Sequence, residues 1–405
     1  MKWFKFAFRN VLRNRRRSLV TIILVTIGVA AILSAQGFSS HTNHRIQGIT
    51  VDRIGNLIVS HPEYFERDEV RTMELGIVDY NVLMNKLRGD ERVKYVFPEL
   101  RLSGMVSNGD KTSIFRAIAV DHTTFDREHG GIRFVSGGAL SEVSDMPLDP
   151  EVILGKDLAE SLNVDVGDYL TLMSTTTYKG INAVDFRVVG TVDIGSLQGN
   201  RYIIYLNLSD AQELVDTDAI HTLSIHLHDF EKTELMQHKF TEDLVDLKVT
   251  HWSEEAEAYD RVKALFGGIF GVMTLIVMIM VFFSVSNTMS QTVVERTREI
   301  GTLAALGTGR SVIVFNFVTE AIIIALIGSS LGVVVASVVG IVLSASGAEL
   351  PPGPGFTNPI PISFLISTSL MVKTSISLIV ACAAASWFSA RRGVKQPIVD
   401  ALTHV

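Results

Sequence analysis

Apolar positions follow two regimes along this chain. In four places they are nearly continuous. Leu19 to Phe38 holds twenty residues without a charge, and later runs cover about Ala264 to Asn287, Phe317 to Ala345 and Ile362 to Phe388. At about 1.5 Å per residue, twenty helical residues cover the roughly 30 Å of a hydrocarbon core, so each run predicts a transmembrane helix. A cleaved signal peptide would also begin basic and turn apolar. Here, though, the first run exceeds a usual signal core and no small-x-small site closes it.

Between the first two runs the pattern changes. Strand-like alternation marks Asn56 to Val59, Ile114 to Val120, Tyr169 to Met173, Phe186 to Val192, Arg201 to Leu206 and Thr222 to Leu227. Helical patterning marks Asp79 to Leu87 with Asp79 as cap, Lys156 to Leu162, and Ser209 to Val215 opening on a Ser-Asp cap. The expected fold class is an α-helical membrane protein with four transmembrane helices. A large α+β extracytoplasmic domain is inserted between the first and second spans, and its strand order is left open.

Composition agrees with that reading. The chain has 405 residues, 47% of them hydrophobic and 20% charged, and its mean hydropathy is +0.31. A single cysteine, Cys382, excludes a disulfide framework. Charge supplies the orientation. Residues 1–18 carry seven Lys or Arg and no acid, whereas residues 39–263 carry 22 basic and 38 acidic residues. Basic residues also flank the other spans: Arg296, Arg298 and Arg310 between the second and third, and Arg391, Arg392 and Lys395 after the fourth. The positive-inside rule makes these segments and both termini cytoplasmic. The expected division is therefore a cytoplasmic amphipathic helix (1–18), spans at 19–38, 263–287, 317–345 and 362–388, and an extracytoplasmic domain (39–262). A cytoplasmic segment (288–316), a short outer loop (346–361) and a cytoplasmic tail (389–405) complete it.

Candidate chemistry within the chain is sparse. Gly104 to Thr112 approaches a phosphate-binding loop, but Asp110 intervenes before Lys111, and Asn108-Gly109-Asp110 reads as a hairpin turn. His226 with His228, and His41 with His44, lack a third clustered metal ligand, and no Gly-x-Ser-x-Gly elbow occurs. No catalytic, cofactor or metal site is expected, nor is nucleic acid among the partners. Glu320 and Lys373 are the ionisable residues in the last two apolar runs, free to pair with each other or with a partner chain. Glu320, a few residues inside the cytoplasmic boundary, reads mainly as reaching the interface or capping the packing of the cytoplasmic segment, and Lys373 sits near the middle of its run. Gly328-x-x-x-Gly332 offers a packing face.

The cytoplasmic segment is more informative. Val293, Thr297, Ile300 and Ala304 form one less polar stripe of a helix, with Arg296, Arg298 and Glu299 mostly away from it, and Gly307 and Gly309 end it. Such a helix suits a lever docking on a partner, or a solvated helix that merely obeys the charge rule. The run from Glu295 to Gly307, Glu-Arg-Thr-Arg-Glu-Ile-Gly-x-Leu-x-Ala-Leu-Gly, resembles the signature of FtsX-like permeases, the family containing MacB and LolC/LolE. Phe6 to Arg17 is similar to that family's opening, and Ser389-Ala-Arg-Arg392 with Pro397 and Ala401-Leu402 to its close. Ile153 to Ala159, Val166 to Leu172 and Phe186 to Val192 resemble its periplasmic domain, and Pro351 to Gly355 a loop of the lipoprotein-release branch. Thr302 and Thr308-Gly309 depart from the pattern.

The resemblance implies a non-catalytic permease subunit of an ABC transporter in an inner membrane, with ATP bound only by a partner. Glu295, Arg296, Arg298, Glu299, Ile300, Leu303, Leu306 and Gly307 would form the coupling helix gripped by a cytoplasmic ABC ATPase dimer. A second permease copy or paralogue, membrane lipids and a periplasmic cargo or carrier, with a lipoprotein favoured, would complete the partners. MacB-like efflux and FtsX-like signalling to a cell-wall hydrolase are the alternatives.

Overall fold

The computed structural model describes residues 13, 15–64, 75–125, 132–141, 149–352, 355 and 357–394. The expected opening helix falls almost wholly outside the described residues, as do Pro397 and Ala401-Leu402. In chain order the elements begin with α1 (Arg15–Ile54), β1 (Leu57–Ser60), α2 (Tyr80–Arg88), β2 (Val93–Ser107), β3 (Thr112–Val120) and β4 (Arg133–Gly137). Next come β5 (Glu151–Gly155), α3 (Lys156–Leu162), β6 (Tyr169–Thr175), β7 (Ile181–Asp193), α4 (Leu197–Asn200) and β8 (Ile203–Asn207). Then follow α5 (Leu208–Val215), β9 (Thr222–Leu227), α6 (Thr233–Asp243), β10 (Lys248–His251) and α7 (Trp252–Glu255). The chain closes with α8 (Glu257–Glu295), α9 (Thr297–Ala305), α10 (Arg310–Ala345), β11 (Glu349–Leu350), β12 (Ile360–Pro361) and α11 (Thr368–Gly393).

Two compact units result. One contains Met1–His44, Val262–Glu349 and Pro361–Val405, and the other Arg45–Arg261 and Leu350–Ile360. Among the described residues, α1, α8, α10 and α11 carry four segments long and apolar enough to cross a membrane, all in the first unit. Their shared core includes Val25, Val29, Leu33, Val281, Val285, Ala321, Ile324, Leu378 and Ala385. Gly328 and Gly332 are where α1 comes closest to α10. A Cβ on Gly332 would lie 2.6 Å from Val29 Cβ, and one on Gly328 2.8 Å from Val25 Cβ. Thr26 adds a hydrogen bond to the Gly328 carbonyl at 3.2 Å. By contrast only 6% of the apolar window of α8 is buried by this chain, which leaves most of that helix to lipid or another protein.

All four helices depart from the expected bounds, α8 (Glu257–Glu295) and α10 (Arg310–Ala345) by running beyond them. The first apolar run ends at Phe38, yet α1 continues to Ile54, because hydropathy marks where hydrocarbon ends and not where helical hydrogen bonding stops. The fourth begins at Thr368 instead of Ile362. Ser367 caps it by accepting from the Leu370 N–H, while the Ile362 and Leu365 N–H groups bond outside the helix, to the carbonyls of Ala348 and Gly37.

The second unit is a mixed sheet in the order β10-β1-β9-β2-β3-β8-β5-β7-β4, with β6 bridging β2 and β7. The pairs β3/β8 and β5/β7 are parallel and the others antiparallel. The long strand β2 belongs to two cores. Its first half lies against β9 over the cluster of Leu57, Val96, Leu223, Ile225, Met236 and Phe240, which α2 and α6 help to form. Its second half pairs with β3, where Leu100, Phe115, Leu154, Leu158, Phe186, Leu206 and Leu214 form the core beneath α3 and α5. The expected turn joins β2 to β3: Asn108 Oδ1 accepts from the Asp110 and Lys111 amides, and Gly109 takes φ +94°. Two expected caps differ. Asp79 occupies the cap position of α2 without a side-chain bond, and α5 opens from Asn207, placing Ser209 inside the helix.

Where α1 leaves and α8 enters the sheet unit, Val51, Ile54, Ile58, Trp252, Ala256 and Tyr259 pack together. Gly55, at φ +85°, turns the chain from α1 into β1 beside the Ile225 backbone. Replacement of Gly332 by Val is expected to destabilise the helical unit by about 1–3 kcal/mol through overpacking against Val29. Thermal unfolding in detergent measures it as a lowered midpoint, with Gly268→Val, at an open position, as the neutral control.

Candidate coupling site

The cytoplasmic segment read from the sequence forms α9, joined to α8 through Arg296 alone. Thr297 stabilises the junction by donating to the Val293 and Val294 carbonyls at 3.1 and 2.7 Å. Gly307, at φ +87°, ends α9. The Thr308 amide reaches back to the Leu303 carbonyl at 3.0 Å, the long bond of a Schellman closure. Gly309 has a different task from the expected one: its extended backbone caps the start of α10.

Charged pairs hold this short helix in place. Arg17, in the first turn of α1, grips Glu295 with both guanidinium nitrogens, one at 2.7 Å. Arg13 reaches Glu299 at 2.7 Å. Arg296 donates to Glu299 at 2.8 Å and to Glu320 of α10 at 3.2 Å, and its guanidinium lies 5.5 Å from the centre of the Phe317 ring. Burial separates these contacts energetically. The Arg13 and Glu299 side chains are 58% and 47% exposed, and such surface pairs contribute roughly 0–1 kcal/mol. Arg296 and Glu320 are only 11% and 5% exposed, so losing either partner strands a charge away from water. Burial works to raise the Glu299 pKa, but the guanidiniums of Arg296 and Arg13 outweigh it and hold the carboxyl below its ordinary value. Its contribution to stability is thus fully present at neutral pH and is lost only as the pH falls through that lowered value.

The expected residues divide into three groups. Ile300 and Leu303 turn toward their own chain, packing with Val293, Ile313, Phe317, Ala390 and Val394. Glu295, Arg296 and Glu299 are committed to intramolecular pairs. Arg298, Leu306 and Gly307 are exposed and outside these pairs, with Leu306 at 78%. Two expectations are corrected. Arg296 points inward, because it sits at the junction of α8 and α9, where the buried Glu320 carboxylate and the Phe317 face draw it toward α10. Glu320 pairs with Arg296 of the expected coupling segment. Since α11 begins at Thr368, Lys373 lies in its second turn and is exposed, not near the middle of the helix. A shallow cleft lies between α9 and α10, lined by Leu303, Thr308, Val312, Asn316 and Phe317 among others.

Sequence reasoning missed Arg13 and Arg17 as partners. The signal was present: both are spaced by four, as are Glu295 and Glu299, the periodicity that aligns two helical faces.

Comparison with known proteins bears on this site. Residues 18–242 match the model of the MacB-like periplasmic core domain, and residues 271–398 that of the FtsX-like permease C-terminal region. The chain belongs to the MacB/FtsX permease family. Among its relatives is a macrolide export ATP-binding/permease protein MacB of Aggregatibacter actinomycetemcomitans, 23% identical over 82% of this chain and 52% of the relative. An uncharacterized ABC transporter permease of Methanocaldococcus jannaschii is 23% identical over 98% of this chain and 96% of its own length. The lipoprotein-releasing system transmembrane protein LolC of Xylella fastidiosa is 25% identical over 46% of this chain and 47% of its own. This MacB/FtsX permease therefore spans about half the length of its MacB relatives. Among solved structures, the periplasmic region of MacB from Actinobacillus actinomycetemcomitans covers 52% of this chain and 94% of its own at 16% identity, with a TM-score of 0.39.

In this permease, Arg296→Met is expected to cost about 3–5 kcal/mol, because Glu320 is left buried without its partner. The double variant Arg296→Met/Glu320→Gln should recover most of that loss. Thermal unfolding of these forms, the single variant Glu320→Gln and the unaltered chain in nanodiscs provides the cycle, and additive losses would show the pair to be uncoupled.

Proposed function

We propose that this chain is the membrane subunit of an ABC transporter, coupling ATP hydrolysis in a separate cytoplasmic ATPase to movement of its sheet domain. The observation that carries the proposal is the division of labour along α9. Glu295, Arg296 and Glu299 around its start are fixed to the helical bundle, whereas Arg298 and, just past its end, Leu306 are left outward on a helix too short to hold a position by itself. A large exposed leucine at the tip of a clamped helix suits a lever seated in a partner's groove. The basic segments Arg13–Arg17, Arg296–Arg310 and Arg391–Arg392 support a cytoplasmic position for this end and for both termini. The acidic sheet domain, inserted between the first and second spans, then lies outside.

On this reading no nucleotide, metal or other cofactor binds the chain itself. Closure of an ATPase dimer displaces α9, and a second permease copy or paralogue completes the assembly. The cargo read from the sequence is a lipoprotein released from the inner membrane. Drawing an acyl anchor out of the bilayer costs about 0.8 kcal/mol per CH₂, which would account for the need for ATP. MacB-type export is the second reading, favoured by how far the similarity extends: the MacB relative matches over 82% of the chain and LolC over 46%.

Affinity purification of the tagged chain in nanodiscs, with mass spectrometry and an ATPase assay, tests the proposal. An ABC ATPase is expected with the unaltered chain. A co-purified lipoprotein or its carrier indicates release, and an export-conduit protein indicates efflux. Leu306→Asp should reduce ATPase recovery by at least about tenfold without lowering the melting temperature, since the side chain packs against little. Glu299→Lys and Gly307→Pro should uncouple transport in a complementation assay. If no ATPase is retained, or Leu306→Asp retains it fully, α9 is not the coupling element.

A further inference from the structure

The loop joining α10 to α11 folds with the sheet unit: residues 350–360 cluster with 45–261. Its contacts converge on one carboxylate. Asp193, the last residue of β7, is fully buried. Its Oδ1 accepts from Thr357 Oγ1 at 2.6 Å, from Asn200 Nδ2 at 2.8 Å and from the Gly195 amide at 2.9 Å. Its Oδ2 accepts from Lys156 Nζ at 2.7 Å, with Arg133 at 3.5 Å. The backbones add two further bonds, Leu197 N–H to the Gly355 carbonyl at 3.0 Å and Thr357 N–H to the Gly195 carbonyl at 3.1 Å. Gly195 takes φ +79°, a conformation that favours glycine, with the Asn358 side chain close beside it.

This arrangement exceeds what neutralising a buried acid requires. Burial works to raise the Asp193 pKa, but Lys156, Thr357, Asn200 and the Gly195 amide outweigh it and hold the carboxyl well below the usual range. Lys156, Asn200 and Gly195 all lie near Asp193 in the same domain. Thr357 comes from 164 residues away and brings a separate segment with it.

We infer that the α10–α11 loop is a latch, fastened to the Asp193 corner of the sheet domain by Thr357 and Gly355, giving α10 and α11 their own mechanical connection to that domain. The chain passes between its two units four times, at 44–45, 261–262, 349–350 and 360–361. Without the latch, residues 350–360 would be a slack linker, and only the α1 and α8 passages would transmit force. With it, all four passages do. The inference concerns this chain alone and stands or falls independently of any ATPase partner or cargo.

Hydrogen exchange of the full chain in lipid nanodiscs tests it, comparing the unaltered protein with Thr357→Ala, Thr357→Ser and Asp193→Asn. The Leu197 and Thr357 amides should be protected in the unaltered chain and should exchange about tenfold faster or more in Thr357→Ala. Thr357→Ser, which keeps the hydroxyl, should preserve protection, and Asp193→Asn should lose it. Amides of Val152–Leu154 and Ile204–Leu206 should stay protected in both Thr357 variants. Unprotected Leu197 and Thr357 amides in the unaltered chain would overturn the latch, as would an unchanged rate in Thr357→Ala. Equal loss in the Ser and Ala variants, or loss spreading through β5 and β8, would show a general folding contact and equally overturn it.

Discussion

The buried pair between Arg296 and Glu320 is the constraint on which the lever's geometry depends. Neither charge has access to enough water to stand alone, so each fixes the other, and with them the junction of α8 and α9 is fixed against α10. A nine-residue helix has too few hydrogen bonds to persist by itself, and α9 takes its place from what surrounds it. Thr297 holds the junction from behind, Gly307 closes the far end, and Ile300 and Leu303 supply the apolar contact. The pairs from Arg13 and Arg17 are weaker individually, but they connect the lever to the first turn of α1.

That connection gives the lever its reach. The helix α1 is uninterrupted from Arg15 to Ile54: its first turn grips Glu295, and its last hands over through Gly55 to β1. Asn56, immediately beyond, accepts from the Leu227 amide and donates to Thr233, seating the entry point between β9 and α6. A second long helix, α8, leaves the same domain beside it and ends at Glu295, one residue before the lever. Coupling in this account needs no polar pore. On the proposed function, α1 and α8 carry contacts of opposite character: ion pairs beside α9, and aromatic packing with backbone hydrogen bonds in the sheet unit.

The four apolar helices and the family could be read from the sequence because each rests on a long contiguous signal. Helix ends were less legible. The last sixteen residues of α1 are mostly polar, and Ile46, Ile49, Val51 and Ile54 are too sparse to mark a helix that continues past its apolar run. Strand β2 was hidden by Pro98, Glu99 and Arg101, which break its alternation. Glu99 and Arg101 are tolerated there because they pair with each other at 3.3 Å. Strand β5 is buried along its whole length and so shows no alternation. At the site, the stripe read from the sequence did not give the directions of the side chains at and around α9. A helical stripe predicts which residues share a face, and it cannot register a side chain such as Arg296 that a buried carboxylate from another helix turns inward.

The most direct measurement is site-specific photo-crosslinking in native membranes from a photoreactive residue at position 306, compared with one at position 294, which is also exposed but lies on α8. The account predicts a crosslink from 306 to an ABC-type ATPase that changes in yield when nucleotide is trapped, with little from 294. An ATPase crosslink from 294 but not 306, or none from either position, would contradict the assignment of α9 as the coupling lever.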